Sequence, residues 1–308
     1  MPPKSKAKAL ILTGPTGTGK SSLAVTLAQK IGGEIINCDS LAFYKYLDIG
    51  TAKPTKSDME KVPHHLFSIL EPDEEFCAAS YLRLARPLIE ELFSLGKKPI
   101  VVGGTGFYLR SLTKGLFDGP GSNKVYRQHL HDLESEGQNL YELLAKTDPL
   151  AAKNLNPNDR VRIVRALEVF NAAKTSIVTI QEQHGLREKP FETLALIVDI
   201  EKSELDGRIR QRVRKMFSEG LIEETLGLLA KGYSPELKTL MSMGYREAVL
   251  YIQKELTLEE AQEQAYLRTR RLAKSQRVWL KGQLPEGLKV PSSEGRIKEL
   301  AQEFFGIS

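Results

Sequence analysis

A phosphate-binding motif near the N-terminus constrains this chain more than any other feature. Residues 14–21 match the P-loop pattern G-x-x-x-x-G-K-[ST]. A short apolar run at residues 9–13 precedes the motif, and helical periodicity extends over residues 20–31. A strand, a glycine-rich turn and a helix in this order aim backbone N–H groups and a helix N-terminus at an anion. The residues predicted to bind phosphate are Gly14, Pro15, Thr16, Gly17, Thr18, Gly19, Lys20 and Ser21.

The motif leaves the identity of the phosphate compound open. Lys20 supplies a positive charge, and the Ser21 hydroxyl can ligate Mg²⁺. Kinases, NTPases and other phosphate-handling enzymes share these parts. A small-molecule kinase and a non-enzymatic, RNA-binding NTPase-like protein are therefore alternatives, and ATP binding is an open question.

Asp39 stands directly after the second predicted strand, residues 34–38. Open α/β sheets bind their ligands at the carboxyl ends of the strands. Asp39 can serve there as a general base or hold Mg²⁺ through water. An Asp-Ser pair is also common in turns and at helix N-caps. Position alone does not decide between these roles.

Strand and helix patterns alternate in the first part of the chain. Residues 80–95 have helical spacing, and residues 98–102 form a third strand that enters a Gly-Gly-Thr-Gly turn. Residues 191–200 predict one more strand. This alternation predicts an α/β fold, with a P-loop NTPase-like parallel sheet flanked by helices.

The pattern changes after a chain breaker at residues 119–121, Gly-Pro-Gly. We predict an all-helical subdomain at residues 116–189, inserted into a catalytic core of residues 1–115 and 190–308. The helices predicted in the insertion cover 124–136, 140–146, 149–154 and 160–173. Those predicted after the last strand cover 203–219, 221–231, 242–253 and 257–281.

Composition narrows the class of protein. The chain has 308 residues, of which 41% are hydrophobic and 27% charged, so it can bury a sizeable core without disulfides or metal staples. Its two cysteines, Cys38 and Cys77, are far apart, which favours a reducing cytoplasm. No segment has about 18 uninterrupted apolar residues, so no membrane span is expected. Residues 1–8 are interpreted as a disordered lead-in, and nothing requires more than a monomer.

The net charge of +5 permits a polyanionic partner without demanding one. Basic residues concentrate at 160–165, 208–215 and 268–281. In the last segment Arg270, Lys274, Arg277 and Lys281 follow one helical stripe. Such a stripe can contact phosphates of RNA or can be a solvated helix face.

Several sequence blocks, taken together, resemble one enzyme family. The blocks are Asp39-Ser40, residues 44–54 (Tyr-Lys-Tyr-Leu-Asp-Ile-Gly-Thr-Ala-Lys-Pro), 63–66, 102–108, 162–170, 243–247 and 269–276. In this order they are similar to tRNA dimethylallyltransferases (tRNA isopentenyltransferases, the IPP transferase family) of the bacterial type. The resemblance runs from about residue 10 to residue 280.

The resemblance implies a reaction and its partners. Members transfer a dimethylallyl group from dimethylallyl diphosphate to N6 of the adenosine on the 3′ side of the tRNA anticodon, position 37, using Mg²⁺. By this resemblance Asp39 is the general base and Arg208 a diphosphate-binding catalytic arginine. Thr105 and Arg127 are expected to face the reacting groups, and Ser21 to hold the metal. On spacing alone, Arg208 and Arg212 are equally compatible with a solvated basic helix face.

The resemblance also implies a tRNA-binding set. Its members are Asp39, Ser40, Leu41, Ala42, Val161, Arg162, Ile163, Val164, Arg165, Met241, Ser242, Met243, Gly244, Tyr245 and Arg246. The family often has glutamine where this chain has Ala42, so a side-chain contact from position 42 to the target base is in question. The pair His64-His65 could suggest a metal site, but adjacent residues of an extended segment point to opposite sides and no Cys or carboxylate cluster joins them. A structural loop is therefore the favoured interpretation.

Overall fold

The computed structural model describes residues 6–117, 119–185 and 188–307. The chain divides into a larger unit, Met1–Thr113 with Pro190–Ser308, and a smaller unit, Lys114–Lys189. The smaller unit begins two residues before the predicted insertion. Most of the predicted lead-in, residues 1–5, lies outside the described residues.

The larger unit is built on one parallel sheet. Among the described residues its six strands lie in the order β3-β2-β4-β1-β5-β6, and every pairing is parallel. The strands are β1 Lys8–Thr13, β2 Gly33–Asn37, β3 His64–His65, β4 Lys98–Val102, β5 Glu192–Val198 and β6 Leu288–Val290. The central strands are buried on both faces, as continuous apolar runs require. The predicted α/β fold with a helix-flanked parallel sheet is confirmed.

The N-terminal helices of the larger unit alternate with its strands. They are α1 Lys20–Ile31, α2 Lys56–Lys61, α3 Ala78–Ser94 and α4 Gly106–Lys114. Helix α1 packs its apolar face on the sheet, where Ala24, Leu27 and Ala28 join the core of the β-strands. This packing fixes the helix that follows the P-loop.

The smaller unit is helical throughout its described secondary structure. Its helices are α5 Lys124–Ser135, α6 Leu140–Thr147, α7 Pro149–Lys153, α8 Arg160–Ala173 and α9 Ile177–His184. Leu130, Leu144, Ile163 and Leu167 are among its core residues. Asparagine, aspartate or serine side chains cap the N-termini of all five helices, which accounts for the sharp helix starts.

The C-terminal part completes the larger unit. Its helices are α10 Lys202–Ser218, α11 Leu221–Ala230, α12 Tyr245–Ile252, α13 Leu258–Gln283 and α14 Glu294–Phe305. Helices α10 to α13 enclose a second core around Ile209, Tyr245 and Tyr266. None of the helices within the described residues is long and apolar enough to span a membrane.

Several elements depart from the sequence prediction. The prediction of a loop at His64-His65 is wrong, because this pair forms the edge strand β3 and His65 Nε2 lies 2.8 Å from Glu34 Oε2. Strand β6 and helices α2, α4, α9 and α14 were not predicted. Helix α14 packs Ile297, Leu300 and Ala301 on the same core as α1, so long-range packing stabilises a segment with weak local signals.

Glu224 on α11 holds residues 48–50, which follow the candidate site residue Asp39 in the chain. Its carboxylate accepts hydrogen bonds from the backbone N–H groups of Asp48, Ile49 and Gly50 at 2.9–3.3 Å. The Tyr245 hydroxyl donates to the same carboxylate at 2.5 Å. Burial, together with this carboxylate, raises the pKa of Tyr245 far above its ordinary value. Glu224 therefore ties three elements together.

Replacing Glu224 by glutamine is expected to lower the free energy of unfolding by about 2–4 kcal/mol, because an amide NH₂ then faces N–H donors. Urea unfolding followed by circular dichroism measures the change. Glu223, exposed on the same helix, provides the control, and Glu223→Gln should stay within about 0.5 kcal/mol. Equal unfolding curves for the two variants would contradict this role of Glu224.

Candidate active site

Asp39, Thr105 and the P-loop lie at the carboxyl ends of neighbouring strands. The order β2-β4-β1 brings the Asp39 loop, the Thr105 loop and the P-loop next to each other. We define these loops as residues 38–40, 103–105 and 14–21. Parallel pairing places Asn37 beside Val102 and Leu12 beside Val102, so the three strands end at one edge. This edge is where open α/β sheets bind ligands.

The P-loop adopts a backbone shape that only glycine permits at its start. Gly14 has a φ of 154°, and a Cβ there would lie 2.4 Å from the carbonyl oxygen of Val198. The Thr18 hydroxyl donates to the carbonyl of Pro15 at 2.9 Å and closes the turn. Local backbone geometry and this hydrogen bond therefore fix the shape of the loop.

Helix α1 presents an N-terminus suited to an anion. Its N-cap is Gly19, which supplies no side-chain hydrogen bond, and its first turn has no acidic residue. The amide donors of this turn are therefore available to a phosphate. Burial lowers the pKa of Lys20 to about 8, a shift that Asp39 opposes and Arg212 increases. The ammonium group thus lies in a desolvated site that contains charges of both signs.

Asp39 is half-buried and held by its own loop. Its backbone N–H donates to Asn37 Oδ1 at 2.8 Å, and its Oδ1 accepts from the N–H of Leu41 at 3.1 Å. No other described residue donates a hydrogen bond to this carboxylate. Its second oxygen can therefore accept a proton from a bound substrate.

Thr105 connects two of the three loops. Its hydroxyl oxygen accepts from the N–H of Ser40 at 2.9 Å, and its own N–H donates to the carbonyl of Cys38 at 3.3 Å. The predicted catalytic residues Asp39 and Thr105 are thus brought together. Thr105 also fixes the backbone on both sides of Asp39.

Helix α10 places two arginines beside the P-loop. Arg208 Nη1 donates to the carbonyl of Thr18 at 3.3 Å, while Arg208 Nη2 pairs with Glu204 Oε1 at 2.6 Å. Arg212 Nη2 donates to the carbonyl of Thr51 at 3.2 Å. Burial lowers the pKa of Arg212, and Asp39 opposes this shift. Sequence reasoning singled out Arg208 and treated Arg212 only as its helical neighbour, because periodicity does not show which arginine is desolvated.

The donor set fits a magnesium ion bound chiefly through substrate phosphates. Ser21 is exposed at the start of α1, so its hydroxyl can reach a ligand in the P-loop. The described residues contain no group of three or more His, Cys, Asp or Glu side chains that could hold a metal by themselves. Mg²⁺ usually keeps waters and takes one or two protein ligands beside phosphate oxygens.

The segments expected to meet RNA are partly buried. Tyr245 is fully buried and Ala42 nearly so, which excludes contact with RNA through either side chain. Met241 and Arg246 are exposed, and Gly244 has a φ of 90° that turns the chain into α12. The Tyr245 ring is a core residue that donates to Glu224, and a role of position 245 in RNA binding stays a prediction.

In the smaller unit, too, some residues expected to contact RNA are buried and others are exposed. Ile163 is buried in its core, whereas Val161 and Arg162 are largely exposed. Arg165 Nη1 lies 2.7 Å from Glu168 Oε2. The Arg127 guanidinium also binds the buried Glu168, at 2.9 and 3.0 Å. The Ile163 side chain cannot contact RNA, and Glu168 fixes both arginines.

The basic stripe of α13 is not uniform. Arg277 binds Asp199 at 2.8 Å and the carbonyl of Ile200, so it holds the carboxyl end of β5. Arg270 lies 3.8 Å from Asp206. Lys274 and Lys281 are exposed. Arg277 therefore has a structural contact, which neither of the two interpretations left open for the stripe includes.

Comparison with known proteins decides the family. The family model described as IPP transferase matches residues 42–283, and the model described as isopentenyl transferase matches residues 7–67. The chain belongs to the IPP transferase family. The predicted resemblance to tRNA dimethylallyltransferases is confirmed, as is the assignment to the prenyl transferases.

Similar IPP transferases span nearly the whole chain. A tRNA dimethylallyltransferase of Geobacter sulfurreducens is 45% identical over 305 residues, 98% of each chain. One of Desulfosudis oleivorans is 40% identical and covers 96% of this chain and 94% of its own.

Two solved structures share the fold. The full-length tRNA isopentenylpyrophosphate transferase of Bacillus halodurans superimposes with a TM-score of 0.70 at 33% identity and covers 98% of this chain and 95% of its own. A eukaryotic dimethylallyltransferase acting on tRNA superimposes with a TM-score of 0.78 at 29% identity, over 94% of this chain and 74% of its own.

Proposed function

We propose that this IPP transferase transfers a dimethylallyl group from dimethylallyl diphosphate to N6 of the adenosine 3′ of the tRNA anticodon, position 37. One observation carries the proposal. Asp39 lies at the same strand edge as the P-loop, and its charge raises the pKa of two cations, Lys20 and Arg212, against the lowering that their burial causes. A base beside an anion site suits displacement of diphosphate by an amine.

The chain's own residues account for both halves of the reaction. The bond between the allylic carbon and the diphosphate oxygen breaks, while the adenosine N6 forms a bond to that carbon. The P-loop amides, Lys20 and Arg208 stabilise the negative charge that grows on the leaving oxygen. Asp39 accepts the proton that N6 loses, so the products are the modified adenosine and diphosphate. Mg²⁺, held by Ser21 and the phosphates, would supply further positive charge.

The tRNA contacts form the second part of the proposal. The exposed Met241 and Arg246 of the larger unit, and Val161 and Arg162 of the smaller unit, would contact the RNA. Arginine contacts to phosphate position an RNA without reading its sequence. We further propose that Arg127, oriented by Glu168, acts on the reacting groups, and that the protein acts as a cytoplasmic monomer.

A transfer assay tests this proposal. Purified protein with Mg²⁺ and labelled dimethylallyl diphosphate is expected to label an unmodified tRNA that has adenosines 3′ of its anticodon. Labelled ATP in a parallel reaction should give no phosphate transfer to small acceptors. If no label enters the tRNA and phosphate is transferred from ATP to a small acceptor, the proposal is contradicted and a P-loop kinase is supported.

The lowered pKa of Lys20 predicts an alkaline limit to donor use. Lys20 is charged below pH 8 and loses its charge as the pH rises through about 8. The donor phosphates, whose second pKa is near 6, keep a constant charge there. The kcat/KM for dimethylallyl diphosphate should therefore fall by up to about tenfold per pH unit above pH 8. Lys20→Arg keeps its charge and should lack this limb; a flat wild-type profile to pH 9.5 would refute the assignment.

A further inference from the structure

Gln276 on α13 joins the P-loop to the Thr105 loop. Its Oε1 accepts a hydrogen bond from the backbone N–H of Thr16 at 2.9 Å. Its Nε2 donates to the carbonyl of Gly104 at 3.0 Å. One side-chain amide therefore connects the loop after β1 with the loop after β4.

The surroundings of Gln276 are shaped around this bridge. A Cβ at position 104 would lie 2.6 Å from Gln276 Nε2, so glycine is needed there for the amide to approach. One turn further along α13, the Trp279 ring lies against Gly106, where a Cβ would come within 2.5 Å of the ring. The same face of α13 thus contacts the residues on both sides of Thr105.

The side-chain amide of Gln276 bonds directly to the backbone of the phosphate-binding loop. Because the Thr16 N–H is bound to Gln276, this donor fixes the shape of the loop. A carboxylate at position 276 would still accept from Thr16, but it would place an oxygen against the Gly104 carbonyl. A methionine would keep the volume and lose both hydrogen bonds. Only an amide of this length satisfies both partners.

We propose that Gln276 is a positioning residue that couples the diphosphate-binding loop to the loop of Thr105 and so keeps both loops in register with Asp39. The link between this coupling and turnover rests on the proposed function. The coupling itself depends only on diphosphate binding, and it can be measured without tRNA.

Fluorescence tests the coupling directly, because Trp279 is the single tryptophan of the chain. Titration of wild-type protein with inorganic pyrophosphate and Mg²⁺ is expected to change the Trp279 emission. In Gln276→Met, calorimetry should show that pyrophosphate still binds, with an affinity within about threefold of wild type, while the emission change is lost. An unchanged response in Gln276→Met, or no response in the wild type, would overturn the proposal.

Steady-state kinetics of the Gln276 variants provide a second test of the positioning role. Gln276→Met is expected to lower kcat for transfer to tRNA by about 10- to 100-fold, because small misplacements of reacting groups have large effects on rate. The Kd for tRNA should stay within about twofold of wild type. Gln276→Glu should lower kcat similarly and also raise the KM for dimethylallyl diphosphate, because it adds negative charge beside the phosphates.

Gln264 provides the matched control, since it is exposed on the same helix. Gln264→Met and Gln264→Glu should keep wild-type kinetics and melting temperature. Gln276 variants as active as these controls would overturn the positioning role. Absence of transfer in the wild type would instead reject the proposed function and leave the fluorescence result to stand alone.

Discussion

Asp39→Asn is expected to lower kcat for tRNA prenylation by about 10²–10⁴-fold, the usual contribution of a positioned general base. Asparagine keeps the size of the side chain, and its oxygen can still accept from the N–H of Leu41. What it loses is the ability to take the proton from N6. Steady-state kinetics with saturating tRNA and donor measure the effect.

The affinity of Asp39→Asn for tRNA distinguishes a loss of chemistry from a loss of binding. The Kd of Asp39→Asn for tRNA, measured by filter binding, should stay within about threefold of wild type. Asp73, exposed in the same unit, provides the control, and Asp73→Asn should be fully active. Wild-type kcat in Asp39→Asn would show that another group, or water, accepts the proton.

Lys20→Met is expected to lower kcat/KM for dimethylallyl diphosphate by about 10²–10³-fold, as removal of a preorganised donor from a growing oxyanion does. Lys20 is the cation at the start of α1, and burial makes its charge effective because little water screens it. Both donor binding and the leaving group depend on this charge. Initial rates over a range of donor concentrations, at pH 7, measure the effect.

Lys30, the other lysine of α1, provides the control for this change. It pairs with Glu294 at the surface and lies at the far end of the helix. Lys30→Met should leave kcat/KM unchanged, and tRNA binding should be unaffected in both variants. A loss of less than threefold in Lys20→Met would mean that the P-loop does not hold the diphosphate.

Local sequence patterns were sufficient to predict the P-loop and the strands and helices around it. The P-loop could be predicted because its glycines, Lys20 and Ser21 are adjacent in the chain and the flanking elements have clear periodicity. Asp39 could be placed at a strand end for the same reason. The roles of Thr105, Arg208 and Arg127 came only from the family resemblance, and they stay predictions.

Contacts between distant segments could not be predicted. Gln276 meets Thr16 across 260 residues, and no local pattern indicates that pair. Helical spacing placed Arg277 on a basic stripe, but it does not show that Asp199 lies opposite. The sheet order, which sets the Thr105 loop between Asp39 and the P-loop, is likewise a property of the folded chain. Side-chain burial, as at Tyr245, follows from the same long-range packing.

The most direct test is the position of the transferred group in the RNA. The protein is incubated with Mg²⁺, labelled dimethylallyl diphosphate and a matched pair of tRNAs, one with adenosine and one with guanosine at position 37. Digestion to nucleosides should give a single labelled product, N6-dimethylallyladenosine, from the first tRNA and none from the second. Label in the guanosine tRNA, or no label in either, would contradict the account.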